Sequence, residues 1–363
     1  MKTISRRQFL AASTIGVAVS GRSFEQTETL SLKNACKDIF LIGTALDFRT
    51  ANEFNTEELD LIKTQFNAIT PENSMKPGPV HPQENSWNWV QPEALVRFCQ
   101  ENGIKAFGHC LVWHSQTNPW FFESATRDVA LARLHDHVHS LVDHFKGKMS
   151  GWDVVNEAIG DGAGEGENLR ATRWLQIVGP DYLTEAFKFA READPLVPLH
   201  YNDYNIESGA KHQSSLLLLK RLIGEGAPIT TVGIQGHWSL MNMNARKLED
   251  IEQAIEDYKA LKLKVAITEL DLTIGGAGGG QLGGQRGTGA PPTPEALAGQ
   301  AEAYARLFTL FVKHRDAIDR VTFWGLNDRR SWRRGQYPLV FDADSQPKSA
   351  LQAIIDAVRK AKG

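Results

Sequence analysis

Three cysteines, Cys36, Cys99 and Cys110, are too few and too odd in number to build a disulfide framework. Their spacing contains no C-x-x-C pair of the kind that holds zinc or works as a redox couple. Buried, inert thiols are expected, with stability resting on the hydrophobic core. Charge of one sign is also lacking. A formal net charge of -3 and a pI near 6.4 leave no basic face for the phosphates of a nucleic acid. No apolar run reaches the roughly 20 residues needed to cross a bilayer. Residues 10–19 cover about half that length, behind Ser5-Arg-Arg-Gln-Phe-Leu10 and ahead of Ala18-Val-Ser20. That order is the order of a twin-arginine export signal, expected to occupy residues 1–20 and to be removed. The mature chain, 21–363, would then act in the periplasm or outside the cell. It contains no Pro-, Ser- or Thr-rich linker, so one domain is expected.

What is present is an ordinary globular composition, 42% hydrophobic and 23% charged, with nine Trp and seventeen Phe. Short apolar runs alternate with segments of helical period. The runs fall at 39–47, 66–72, 105–113, 151–158, 199–205, 231–238, 264–271 and 320–327. Amphipathic segments lie between them, for example at 92–102, 129–146, 182–193, 214–224, 245–261 and 294–314, with a last one at 348–360. Strands that alternate with helices imply parallel pairing, because parallel neighbours need crossover connections. Eight units in this length predict an α/β fold, a single (β/α)8 TIM barrel.

Two stretches imitate other chemistry. Gly278, Gly280 and Gly283 spell a G-x-G-x-x-G after a strand, but Pro291-Pro-Thr-Pro294 separates them from the next helix. A dinucleotide site needs the helix to open on the glycines, so residues 275–290 are expected to form a loop. His135-Asp-His-Val-His139 places two histidines four apart, without the H-E-x-x-H order and away from strand ends. Packing or surface histidines are expected there, and no metal.

The organising stretch is Ser150-Gly-Trp-Asp-Val-Val-Asn-Glu-Ala158, a buried strand that ends by presenting Asn156 and Glu157. A parallel barrel keeps its chemistry at the C-terminal ends of its strands. Other strand ends are similarly rich. They read Thr70-Pro-Glu-Asn-Ser-Met-Lys76, Gly108-His-Cys-Leu-Val-Trp-His-Ser-Gln116, Tyr201-Asn-Asp-Tyr-Asn205, Gly233-Ile-Gln-Gly-His-Trp238, Val265-Ala-Ile-Thr-Glu-Leu-Asp271 and Phe323-Trp-Gly-Leu-Asn-Asp328. So many polar groups at one mouth need one another as partners. Strands four and seven lie across an eight-stranded barrel, so Glu157 and Glu269 can face each other. Two carboxylates amid Trp, Asn, Gln and His are the equipment of glycoside hydrolysis.

These motifs, in this order and over essentially the whole mature chain, resemble glycoside hydrolase family 10, the endo-1,4-β-xylanases. The resemblance implies a (β/α)8 barrel, net retention, no cofactor and a xylan or xylo-oligosaccharide substrate. It implies Glu157 as general acid/base and Glu269 as nucleophile, with Asn156 on the sugar 2-OH and His237 and Asp271 orienting Glu269. Burial and the nearby Glu269 would favour the protonated form of Glu157 that such an acid needs. Glu72, Asn73, Lys76, His109, Trp113, Gln116, Gln235, Trp324 and Trp332 match sugar-binding positions on the non-reducing side, and Tyr204 stands near the catalytic pair. A monomer is expected. Another β-glycanase, acting on β-1,3-xylan or glucan, is the neighbouring reading, and a non-catalytic carbohydrate-binding barrel a more distant one. Pro77-Gly78, where many members of the family carry Trp, is expected to soften one wall of the cleft. The basic stretch Arg329-Arg-Ser-Trp-Arg-Arg334 is expected to be a solvated loop, with contact to acid-decorated xylan as a second reading.

Overall fold

Short β-branched and apolar runs, closed by glycine or polar turns, form eight strands in the computed structural model, which describes residues 30–50, 52–162, 166–274 and 291–362. They are β1 (Leu41–Leu46), β2 (Ala68–Pro71), β3 (Lys105–Trp113), β4 (Met149–Asn156), β5 (Leu199–Asp203), β6 (Thr231–Ile234), β7 (Lys264–Thr273) and β8 (Ile318–Phe323). Every neighbouring pair is parallel, and the ring closes where Gly43 of β1 sits opposite Thr322 of β8. This is the single (β/α)8 barrel that the alternation predicts. Residues from Ser31 onward make one compact unit. The export segment and residues 275–290 lie outside the described residues.

The connecting helices bury one stripe each. Helix Tyr182–Ala193 turns Leu183, Ala186, Phe187 and Ala190 inward, and helix Ala245–Ala260 does so with Ile251, Ala254, Ile255 and Tyr258. Their starts are chemically specified. Asn55 and Glu58 make a reciprocal capping box on helix Thr56–Gln65. Thr293 accepts from the backbone of Ala296 to open helix Pro294–Lys313, so the Pro-rich stretch ends where the helix begins, as expected. β5 and β6 are buried on both faces, as parallel strands between a filled interior and a helical coat must be. Inside the barrel, the buried guanidinium of Arg320 donates to Thr70 and Thr322 and lies 4.0 Å over the Phe107 ring.

The sixth strand departs from expectation. The predicted run 231–238 breaks at Gln235-Gly236, where Gly236 has φ +82°, and resumes as a short strand His237–Ser239 paired with the outer half of β7. The break turns His237 toward Asp271, opposite which it is registered. The eighth strand stops at Phe323, so Trp324 begins the loop rather than continuing the strand. All three cysteines are buried, and burial pushes the thiols of Cys36 and Cys99 up to about 12. His135 and His139 stack on each other at the outer surface, whereas His137 turns inward to the carbonyl of Leu111 and to His81.

Candidate active site

Glu157 follows the last residue of β4 with φ +58°, a left-handed conformation that costs a non-glycine residue on the order of 1–3 kcal/mol. Two bonds hold it there. Its N–H donates to the Asn202 carbonyl on β5 at 2.8 Å, and its own carbonyl accepts from Nε of Arg170 at 3.0 Å. The side chain, 6% exposed, is thereby turned into the mouth of the barrel. Its Oε2 accepts from the Trp113 indole at 2.7 Å, and its Oε1 from Nε2 of Gln235 at 3.0 Å.

Glu269, in the second half of β7 and 5% exposed, has a different setting. Its Oε1 accepts from Nδ2 of Asn202 at 2.8 Å, and its Oε2 lies 3.1 Å from Nε2 of His237. Nδ1 of His237 is 2.8 Å from Asp271, which is fully buried and also accepts from the indole of Trp332 and from Nε of Arg333. Burial works against a charge on His237, but Asp271 and then Glu269 overcome it and lift the imidazole to about 9. At neutral pH His237 is therefore a cation that donates from both ring nitrogens, one to each carboxylate.

Neutral amides join the two glutamates. Asn202 Nδ2 donates to Glu269 and also to Oδ1 of Asn156, at 2.8 Å each. Gln235 Nε2 donates to Glu157 and, at 3.4 Å, to the same Asn156 oxygen. With that oxygen occupied, the amide nitrogen of Asn156 is the group left to face the cleft. Asn202 needs room for this. A Cβ on Gly233 would stand 2.3 Å from its Oδ1, so β6 must carry glycine there.

One cleft gathers the predicted residues. Glu72, Asn73, Lys76, His109, Trp113, Gln116, Asn156, Glu157, Tyr204, Gln235, His237, Glu269, Trp324 and Trp332 all line it. Asp271 alone stands behind the wall, reaching the cleft through His237. Some of these side chains have duties that sequence did not suggest. Trp113 hydrogen-bonds Glu157 and carries Lys76 Nζ 4.9 Å over its ring. His109 is tied to the buried Asp153, which also takes His200. Tyr204 is gripped by Arg170, Asp161 and Lys211. Burial, with Asp47 adding to it, pushes Glu72 up to about 7. Gly78 donates to the carbonyl of Gln116 at 2.6 Å, joining that wall of the cleft to the third strand's loop.

Sequence reasoning passed over Asn202, Arg170 and Asp203, which pairs with Lys211 at 2.8 Å, and it gave Arg333 no partner in the fold. Asn202 and Asp203 stood within the quoted end of the fifth strand, and that was the available signal. The expectation of a wholly solvated arginine loop is overturned for two of its four arginines. Arg333 is buried against Asp271, and Arg330 is bound by Glu53 and Glu58. Each turns inward because a buried or half-buried carboxylate awaits it.

Comparison with known proteins places this geometry. The family model described as glycosyl hydrolase family 10 matches residues 31–357. An endo-1,4-beta-xylanase/feruloyl esterase of Xylanibacter ruminicola is 37% identical over 98% of this chain, which spans 50% of that protein's length. Endo-1,4-beta-xylanase A of Caldicellulosiruptor saccharolyticus is 37% identical over 90% of this chain and 95% of its own. A solved structure of a mutant in complex with xylotriose superposes with a TM-score of 0.83 at 34% identity, covering 90% of this chain and all of that one. The barrel, the strand-end motifs and the extent of these matches agree: the chain belongs to glycosyl hydrolase family 10.

Proposed function

We propose that the protein is a retaining endo-1,4-β-xylanase that opens internal β-1,4 bonds of xylan. One observation carries the reading. Two buried carboxylates from β4 and β7, each with its own hydrogen-bond partners, face one cleft lined by indoles and amides. Retention is general for the family. In the first step Glu269 attacks the anomeric carbon while Glu157 gives its proton to the departing glycosidic oxygen, leaving a glycosyl ester on Glu269. In the second, Glu157 as carboxylate takes a proton from water, whose oxygen displaces Glu269 with a second inversion. The His237 cation beside Glu269 fixes the attacking oxygen's orientation, and Asp271, Trp332 and Arg333 fix His237 in turn. The indole of Trp113 and the amide of Gln235 hold Glu157 where the leaving oxygen must lie. Asn156 offers its amide nitrogen to the sugar 2-hydroxyl, and the remaining cleft residues bind hydroxyls or stack on pyranose faces.

The decisive measurement is product analysis on β-1,4-xylan, β-1,3-xylan and cellulose, with the first-formed anomer read by NMR on defined xylo-oligosaccharides. Internal cleavage of β-1,4-xylan giving the β-anomer supports the reading. Preference for either other polymer, or an α-anomer, overturns it. Glu269→Ala should abolish turnover of every substrate, whereas Glu157→Ala should spare the first step for substrates with good leaving groups. Equal loss on activated and natural substrates would remove the acid/base role from Glu157.

The export reading is a further part of this proposal. The twin-arginine order of residues 1–20 supports it, as does a family match that begins only at residue 31. N-terminal sequencing of the protein recovered from periplasm and medium should begin at Gly21, and recovery of uncleaved protein in the cytoplasm alone would end the idea.

A further inference from the structure

We infer that the enzyme carries, beside its cleft, an arginine-walled pocket that binds the carboxylate of a uronic-acid substituent on the glycan chain. The inference rests on the proposed glycanase activity and deepens it. The pocket is bounded by the end of β1, the chain that follows it, and the loop after β8, and it meets the cleft at Glu72, which lines both. Four arginines face it, and they are not equivalent. Arg330 is neutralised, with Nε 2.7 Å from Glu58, a terminal nitrogen 2.9 Å from Glu53, and its plane 4.4 Å over Phe54. Arg329 pairs with Asp344 at the surface. Among the described residues, Arg49 and Arg334 have no carboxylate within ion-pair distance.

The acidic groups of the pocket have other partners and form no ion pair with either arginine. Both oxygens of Asp47 are occupied by the backbone of Asn73 and Ser74, at 2.9 and 3.0 Å. Glu53 is held by Arg330, and Glu72 is largely protonated below pH 7 because burial and Asp47 push it up. What remains is a concave site with two uncommitted guanidinium forks. Guanidinium is shaped for two parallel bonds to a carboxylate, and it keeps its charge at every working pH. The position selects the source of that carboxylate. A glycan lying along Glu72, Asn73 and Trp332 passes the pocket's edge, so an acidic sugar branching from it can enter, held in place by the main chain already bound. This sharpens what the basic stretch 329–334 suggests by itself. Arg333 supports Asp271 and Arg330 supports Glu58, whereas Arg49, from a distant part of the sequence, supplies the second free fork.

The test measures kcat/KM on glucuronoxylan, on the same polymer with its carboxyl groups reduced to alcohols, and on unbranched xylohexaose. For the native enzyme, glucuronoxylan should exceed its reduced form by about tenfold, the scale of one charge-assisted hydrogen bond. In the double variant R49Q/R334Q that ratio should fall toward one, while xylohexaose is cleaved at the native rate. A native ratio near one, or a ratio unchanged in the variant, overturns the pocket. The native comparison decides even where the variant folds poorly. Failure of the glycanase reading would show separately, as no cleavage of xylohexaose by the native enzyme.

Discussion

Trp113 was legible as an aromatic at a strand end, but its function depends on one atom, the indole nitrogen 2.7 Å from Glu157. Trp113→Phe keeps the ring and removes that donor, leaving a buried oxygen of Glu157 short of a partner at a cost of about 1–3 kcal/mol. The expected result is a tenfold to hundredfold fall in kcat with a smaller change in KM, read by steady-state kinetics on xylohexaose. A loss confined to KM would return the residue to sugar binding alone. His237 allows a test with a definite sign. Its ordinary value of 6.5 rises to about 9 in the fold, against burial and through Asp271 and Glu269. A raised value means that protonated His237 adds stability in full below about pH 6.5, and that this contribution fades as pH climbs through about 9. NMR of labelled imidazole should show a midpoint near 9. The stability advantage of the native protein over His237→Gln should shrink across that interval, and an advantage constant from pH 6 to 10 would contradict the assignment.

At the scale of elements, the strand ends were the readable part of the site. A strand of β-branched residues that stops at a polar cluster announces where its side chains point, which is why the clusters that hold Glu157 and Glu269 were readable, whereas the roles of the lining residues came from the family resemblance. Partnerships between strands were not readable. Asn202 touches Asn156 and Glu269 because β5 lies beside β4 and its amide reaches across β6 toward β7, a relation that exists only once the barrel has closed. Gly233 shares that property: in sequence it is a glycine in a strand, and in the fold it is the space Asn202 occupies. Gly233→Ala should therefore displace Asn202 and slow kcat by at least about tenfold with little change in the far-UV circular dichroism spectrum, since one methyl at 2.3 Å must move something. Native kcat in this variant would show the amide chain to be dispensable. The break in the sixth strand was missed for a comparable reason. Gln235-Gly236 reads as a continuation, and only the left-handed φ of Gly236 turns the backbone aside.

For the molecule as a whole, the barrel was legible from alternation because eight parallel strands with crossover helices have few other ways to bury both faces. How the ring is fastened was less so, since loop residues follow no period that gives a direction. Arg330, in the loop after the last strand, reaches Glu53 and Glu58 at the start of helix Thr56–Gln65, tying the end of the chain to its beginning. Arg330→Met should destabilise the fold by about 1–3 kcal/mol, less than a fully dry pair because both partners keep some contact with solvent. The bond to Arg330 chiefly lowers the Glu58 carboxyl below its usual 4.5, so this stabilisation is present above about pH 4.5 and is lost as pH falls through the lowered value. Denaturant midpoints of native and variant proteins should converge in acid, and a gap that stays constant to pH 3 would refute the ion pair as its source. A last consequence lies in the bridge between the two glutamates. Asn156, Asn202 and Gln235 are amides and take up no proton between acid and alkali. The spacer between the two carboxylates therefore keeps its length from acid to alkali. Rate should rise and fall with pH, but the handedness of the product should not drift, and recovery on returning to the optimum should be as fast as mixing.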